Sequence, residues 1–331
     1  MIPPLSRRLL RLPPYLFAQL DSDKRVARAQ GHDLIDLGVG DPDSPTPAFI
    51  LSAMARAIRD PRNHRYALDQ GMPAFREAIA AWYERRFRVR LDPQREILPL
   101  IGSKEGLAHL PLAFLDPGDR VLVPDPCYPP YRTATLLAGG VPVAIPLRES
   151  NAFLADPADI RKASRQRTKI LYLNYPNNPT GAVASLPFFQ DVVRIAQRRG
   201  FLIAHDAAYT ELALDGPRPP SFLAAPGAKE VGVEFHSLSK TFNMTGWRIG
   251  WVCGNRQMIS ALAKVKSNID SGVFQAIQIA AVRAFEDRGG HLKQMLQIYR
   301  TRCDLIVGAL QKSDWPITLP QATFYLCAPI P

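Results

Sequence analysis

Short apolar runs recur through the middle of the chain, and a polar, turn-rich stretch follows most of them. The runs are Leu98–Ile101, Val121–Val123, Val141–Ile145, Lys169–Leu173, Phe201–Ala204, Val231–Phe235 and Ile249–Cys253. Runs this short, rich in Val, Ile, Leu and Phe, mark buried strands. Between several of them apolar residues recur every third or fourth position: Ile50, Met54, Ala57 and Ile58 after Pro47; Phe75, Ile79 and Trp82; Leu107, Leu110 and Phe114; and residues 131–138 and 186–199, each closed by glycine. That spacing predicts helices, the first with Thr46 as cap and Pro47 in its first turn. A last long helix is expected from His291 to Gln311. Further strands are expected at Leu34–Leu37 and Ala322–Ala328, and residues 1 to 20 read as an extended arm interrupted by Pro3, Pro4, Pro13 and Pro14. Alternating strands and helices imply an α/β fold with a mostly parallel central sheet flanked by helices. Ligands on such sheets bind beyond the strand carboxyl ends, so the polar residues just after each run carry the functional signal.

Composition narrows the classes. The 331 residues are 47% hydrophobic and 21% charged, a globular profile with material for a large core. No run approaches the roughly 18 apolar residues of a membrane span, and the proline-broken N-terminus lacks a signal-peptide cleavage pattern. Cys127, Cys253, Cys303 and Cys327 show no CxxC pairing, so neither a zinc site nor a disulfide framework is expected, and a reducing cytoplasm is. The net charge of +11 is spread in pairs such as Arg85-Arg86, Arg161-Lys162 and Arg198-Arg199. Without a nucleic-acid module, that pattern fits an enzyme with an anionic substrate or cofactor. Neither nucleic acid nor membrane is an expected partner.

The richest chemistry lies in Ser237-Leu238-Ser239-Lys240, followed by Gly246-Trp247-Arg248. A lysine depressed by burial and by nearby cations becomes a nucleophile toward carbonyls. Hydroxyls and a guanidinium beside it suit a phosphate dianion. Taken alone, the stretch fits a solvated surface loop equally well. Gly102-Ser103-Lys104, at a strand end opening a helix, offers a second phosphate wall. Asp206, ending an apolar run, can hold a basic heterocycle protonated, whereas a solvated strand-end aspartate is the plainer alternative. Asn178 and Tyr209 can meet a phenolate, and Tyr128 can stack on a ring. These faces together match one cofactor, pyridoxal 5'-phosphate, with Lys240 first binding it and then moving the α-proton.

With these motifs the chain resembles the class I/II, fold-type-I pyridoxal-phosphate aminotransferases. The resemblance also rests on Leu12-Pro13-Pro14-Tyr15-Leu16-Phe17, Leu37-Gly38-Val39-Gly40-Asp41-Pro42-Asp43, Asn174–Gly181 and Lys266-Ser267-Asn268-Ile269-Asp270-Ser271-Gly272. Within the family it is most similar to the group acting on LL-2,6-diaminopimelate in lysine synthesis, with 2-oxoglutarate as amino acceptor. The resemblance implies Lys240 as the Schiff-base lysine, with Asp206 and Tyr209 also catalytic. It implies Ser103, Lys104, Tyr128, Asn178, Asp206, Tyr209, Ser237, Ser239 and Arg248 at the cofactor. Tyr15, Gly40, Lys104, Tyr128, Asn178 and Asn268 would border the substrate. Tyr66 would reach the phosphate of a second subunit, which implies a homodimer. The implied layout is an arm and part of a small α+β domain over 1–46, a large cofactor-binding domain over 47–290, and the start of a C-terminal small domain over 291–331. The family continues beyond the Phe324-Tyr325-Leu326 segment with an arginine that clamps the substrate carboxylate. On that expectation the chain is C-terminally truncated, binding cofactor while transamination is impaired. An aminotransferase of alanine or aspartate type and a truncated, catalytically impaired remnant are the alternatives.

Overall fold

The seven apolar runs pair into one sheet in a computed structural model that describes residues 2–14, 16–38, 40–67, 70–315 and 317–329. The strands are β1 (Ile97–Leu100), β2 (Arg120–Asp125), β3 (Val141–Pro146), β4 (Thr168–Asn174), β5 (Leu202–Asp206), β6 (Gly232–Ser237) and β7 (Gly250–Gly254). Their order is β1-β7-β6-β5-β4-β2-β3. The pairs from β3 through β2, β4 and β5 to β6 are parallel, while β7 is antiparallel to both β6 and β1. The consequence is positional. β1, β4, β5 and β6 all end at the same edge of the sheet, and β7 begins there. Residues after four strands and before a fifth therefore meet along one line.

Each face of the sheet carries its own core, as alternation within a strand requires. On β4, Leu171 and Leu173 join Ile203, Trp251 and the helix Leu186–Arg199, which brings Phe188, Phe189, Val192 and Val193. Ile170 and Tyr172 point the other way, toward Leu107 and Leu110 of the helix Ser103–Phe114 and Met258 and Leu262 of the helix Arg256–Ser267. Each such side chain removed from water contributes about 1.5–3 kcal/mol, and helices cover both faces as the alternation predicts. β3 is the exception among the runs. It is an edge strand with Val141 exposed and only Ile145 buried, so its apolar sequence does not mean two covered faces.

Four local expectations are corrected. Leu34–Leu37 forms no strand, because Ile35 and Leu37 lie exposed with no neighbouring strand to take their backbone bonds. The Ala322–Ala328 segment is likewise no strand; a single antiparallel bridge from Ala322 to Ala213 is its sheet-like contact. The N-terminal arm is not extended throughout, since Arg7–Leu10 and Leu16–Ala29 are helical between the prolines. Thr46 does not cap the helix Ala48–Ala57. Its hydroxyl donates to Asn243 O at 2.8 Å, and Pro47 holds the cap position without a side-chain bond. Among the described residues no helix is long and apolar enough to cross a membrane.

The sheet carries one buried anion away from that edge. Glu234 of β6 is fully buried and accepts from Tyr83 Oη (2.7 Å), Ser221 Oγ (2.8 Å) and the Phe222 N–H (2.7 Å), with His205 Nδ1 at 2.9 Å and His236 Nε2 at 3.0 Å. The Tyr175 N–H meets His205 Nε2 at 3.3 Å, which assigns His205 the tautomer with its proton on Nδ1, facing Glu234. Burial pushes the Glu234 carboxyl up, but the bonds from His205 and His236 outweigh it, and the net shift is strongly downward. A depressed carboxylate stabilises the fold above the unfolded pKa, and that stability is lost as pH falls. Glu234→Gln is expected to cost about 2–4 kcal/mol at neutral pH, since the glutamine has an –NH2 among donors. Denaturant titrations at several pH values test this: the gap from wild type should narrow on acidification, and a gap independent of pH would contradict it.

Candidate active site

The line where strand ends meet borders a cavity of about 430 Å³. It is lined by Gly40, Ser103, Lys104, Tyr128, Asn178, Asp206, Tyr209, Ser237, Ser239, Lys240 and Arg248 among others, which brings eleven of the residues singled out from the sequence to one place. A larger hollow of about 1200 Å³ lies behind Ser237 and Leu238, between Trp82, Arg85, Phe285 and Leu292; neither Lys240 nor Asp206 lines it.

Strand order sets the sequence of functions across the cavity. At the β1, β7 and β6 side, Ser103 and Lys104 open a helix, and a helix N-terminus favours an anion. Ser237 Oγ accepts from the Ser239 N–H at 3.1 Å and so fixes the turn between them. Arg248 comes in ahead of β7 with φ 54, the left-handed conformation that few non-glycine residues take. Its guanidinium donates to Thr245 O at 2.8 Å and closes over Gly102. Gly102 has φ 74, and an added Cβ would fall 2.2 Å from Arg248 Nη2, so glycine alone lets the two walls approach. Gly250 serves the same packing: its Cβ would lie 2.9 Å from the Ser103 nitrogen. A cation, a helix N-terminus and two hydroxyls converge here without a side chain between them, which fits a phosphate dianion.

Asp206 ends β5, next in order. It is buried, and burial pushes its carboxyl above the ordinary range, opposed by bonds from Tyr131 Oη and the Ala208 N–H. Beyond β4, Asn174 Oδ1 accepts from the Asn178 N–H at 2.7 Å and sets the Asn178 loop. Tyr128 follows β2 and covers the far side. An acid beyond the anion cradle, with Asn178, Tyr209 and an aromatic cover alongside, fits a phosphorylated, hydroxylated pyridine.

Lys240 belongs not to a strand end but to a short helical turn, Leu238–Thr241, capped by Ser237. Its Nζ donates to Gly40 O at 2.8 Å and lies 5.7 Å from the centroid of the Phe324 ring. Burial lowers its pKa and the Arg248 charge adds to that, against Asp41. Both effects act in the direction that a nucleophilic amine requires.

Three expected residues stand apart. Tyr66 is exposed, and its carbonyl accepts from Gln275 Nε2 at 3.3 Å. Asn268 ends the helix Arg256–Ser267 and donates to Lys264 O, outside the cavity lining. Tyr15 lies outside the described residues. The sequence reading missed Asp21, Asp41, Thr245, Tyr131 and Tyr325. Tyr325 is the clearest case: its hydroxyl pairs with Tyr209 Oη at 2.8 Å, accepts from Asn178 Nδ2 at 3.4 Å, and its ring packs on the bare Cα of Gly40. Treating 322–328 as a strand hid it.

Comparison with known proteins decides the family. The profile described as "Aminotransferase class I and II" matches residues 32–331. The chain belongs to the class I and II aminotransferases. It is thus an enzyme of a family that uses pyridoxal phosphate to exchange amino groups between amino acids and 2-oxo acids. An LL-diaminopimelate aminotransferase from Desulforudis audaxviator is 54% identical over 98% of this chain and 83% of its own length. One from Moorella thermoacetica is 51% identical over 98% of this chain and 84% of its own. Among solved aminotransferase-like folds, substrate-bound BacF from Bacillus subtilis superposes with a TM-score of 0.93 at 36% identity, covering 100% of this chain and 84% of that one.

Proposed function

We propose that this aminotransferase moves the amino group of LL-2,6-diaminopimelate to 2-oxoglutarate, the product closing to tetrahydrodipicolinate, in lysine synthesis. The observation that carries the reading is identity near one half to several LL-diaminopimelate aminotransferases over almost the whole chain. The cavity supports it, since a dibasic, dicarboxylic amine needs cationic and carbonyl groups beyond the cofactor, and Lys104 and Gly40 lie there.

Bound pyridoxal phosphate supplies the carbonyl for amine exchange and the electron sink that makes the substrate's Cα–H acidic. The chain's own residues do the rest. Arg248, Ser103, Lys104, Ser237 and Ser239 bind the phosphate and fix the cofactor's register. Asp206 holds a proton on the ring nitrogen. Asn178 and Tyr209 donate to the ring hydroxyl. Tyr128 covers one ring face and keeps water off it. Lys240, its pKa lowered by burial, takes the α-proton of the substrate and returns it across the amine nitrogen, two atoms away. Gly40, Lys104, Tyr128 and Asn178 border the amino acid. Exposed Tyr66 is read as reaching the phosphate of a second copy, so the working form is a homodimer, and the cytoplasm is its compartment.

The test is glutamate formation by the purified chain from 2-oxoglutarate and LL-2,6-diaminopimelate, set beside the meso isomer, alanine and aspartate. Faster turnover of alanine or aspartate than of the LL isomer would overturn the substrate.

A further inference from the structure

Asp206 is held by a residue that none of the sequence motifs singled out. Tyr131, second in the helix Pro130–Leu137, is fully buried, and its hydroxyl donates to Asp206 Oδ2 at 2.8 Å. The Ala208 N–H occupies Oδ1 at 3.2 Å. The Tyr131 ring cannot swing away. It lies flat on Tyr172, centroids 4.8 Å apart at 12°, and Tyr128 meets it edge-on at 5.8 Å. Tyr172 is itself anchored, its hydroxyl donating to Leu107 O at 2.8 Å. The stack therefore fixes where the Tyr131 proton points. A phenol at this place is a neutral donor. It aligns the carboxylate without cancelling its charge, as a lysine or arginine would.

We propose that Tyr131 is a positioning residue for Asp206: its hydroxyl orients the carboxylate so that the remaining lone pairs face the cofactor's ring nitrogen. The inference rests on the reading that Asp206 holds that nitrogen. It also links Tyr128, the ring cover, to the acid through its edge-on contact with Tyr131, three positions further along the chain.

The consequence is a pH dependence with a definite sign. Burial pushes the Asp206 carboxyl up, and the Tyr131 bond pulls it down. The other groups facing it are Tyr172 from β4, Tyr209 beyond β5, Tyr325 from the C-terminal segment, and His205 and His236 from β5 and β6. None of these makes a hydrogen bond to an Asp206 carboxyl oxygen in place of Tyr131. Without the Tyr131 hydroxyl the carboxyl rises further, so ionised Asp206 needs a higher pH.

The experiment compares Tyr131→Phe, Tyr172→Phe and Asp206→Asn in the full chain loaded with pyridoxal phosphate. The visible absorbance of the bound cofactor is followed against pH without substrate, and kcat and KM are measured with the amine. Tyr131→Phe is expected to move the acid-side transition to higher pH and lower kcat about tenfold, the scale of one hydrogen bond to a charged group, with KM nearly unchanged. Tyr172→Phe keeps the stack and loses a hydroxyl bond elsewhere, so its acid-side transition should match wild type. If Tyr131→Phe matches wild type, or if both phenylalanine variants shift alike, Tyr131 does not act through Asp206. If Asp206→Asn keeps wild-type absorbance and kcat, the ring-nitrogen reading fails first and the inference falls with it.

Discussion

Lys240→Ala is expected to end amino transfer, lowering kcat by about 10⁴-fold or more, because one side chain serves as both covalent anchor and proton carrier. The geometry concentrates both roles in Nζ. The short Leu238–Thr241 turn presents it, Gly40 O orients it at 2.8 Å, and burial with the Arg248 charge lowers its pKa. A lowered lysine pKa means the neutral amine persists to lower pH than for a free lysine, so wild-type activity should extend below the alkaline range in which an ordinary lysine loses its proton. The structural loss in the variant is small, about 1 kcal/mol for the unpaired Gly40 carbonyl, so the fold should remain. Borohydride reduction followed by peptide mass measurement reads the anchor directly. Wild type should carry the cofactor mass on the peptide holding Lys240, and the variant should carry none and lose cofactor on dialysis. Cofactor mass on a different lysine of wild type would overturn the assignment. Lys240→Arg should fail as completely, since a guanidinium does not become neutral at any working pH.

Asp206→Asn carries the second-largest expected effect, about 10²–10³-fold in kcat, the range for removing one preorganised electrostatic partner. The amide is nearly the same size; its oxygen can accept from the Ala208 N–H while its –NH2 donates to Tyr131 Oη, which as a hydroxyl can also accept, so the change removes charge and leaves shape. Stability should move the other way. Burial raises the Asp206 carboxyl, so the ionised form weakens the cofactor-free fold above the unfolded carboxylate range. Removing that charge should raise the melting temperature of the cofactor-free protein at neutral pH, and the gain should vanish as pH falls below that range. A site that stores unfavourable charge for later use trades stability for function in this manner. Equal melting temperatures at neutral pH, with kcat unchanged, would show that Asp206 neither pays that penalty nor serves the ring.

The core strands were legible because their cause is local. A run such as Lys169–Leu173 has few other folds open to it, and β4 spans Thr168–Asn174. The helix over Leu186–Arg199 was legible to the residue, with Ser185 accepting from the Phe188 N–H at its start and Gly200 left-handed at its end. The failures share a different cause. Leu34–Leu37 and Ala322–Ala328 have strand-like composition, but a strand exists only where a neighbour takes its backbone bonds, and that is a tertiary condition. Thr46 looked like a cap by type and position, and a distant carbonyl, Asn243 O, took its proton instead.

The same division runs through the site. By itself the sequence determined which residue types stand at strand ends: the lysine between serines, the acid after an apolar run, the glycine before Ser103 and Lys104. Those choices follow from local chain chemistry and survive without coordinates. Only the tertiary structure decided their order across the cavity, because the antiparallel entry of β7 carries Arg248 to Gly102 across 146 residues of chain. Only it placed Tyr131 on Asp206 and Tyr325 against Gly40 and Tyr209, contacts made by residues with no motif of their own. The physical reason is that a hydrogen bond between distant side chains depends on strand order and helix packing, and these are fixed by burial summed over the whole core.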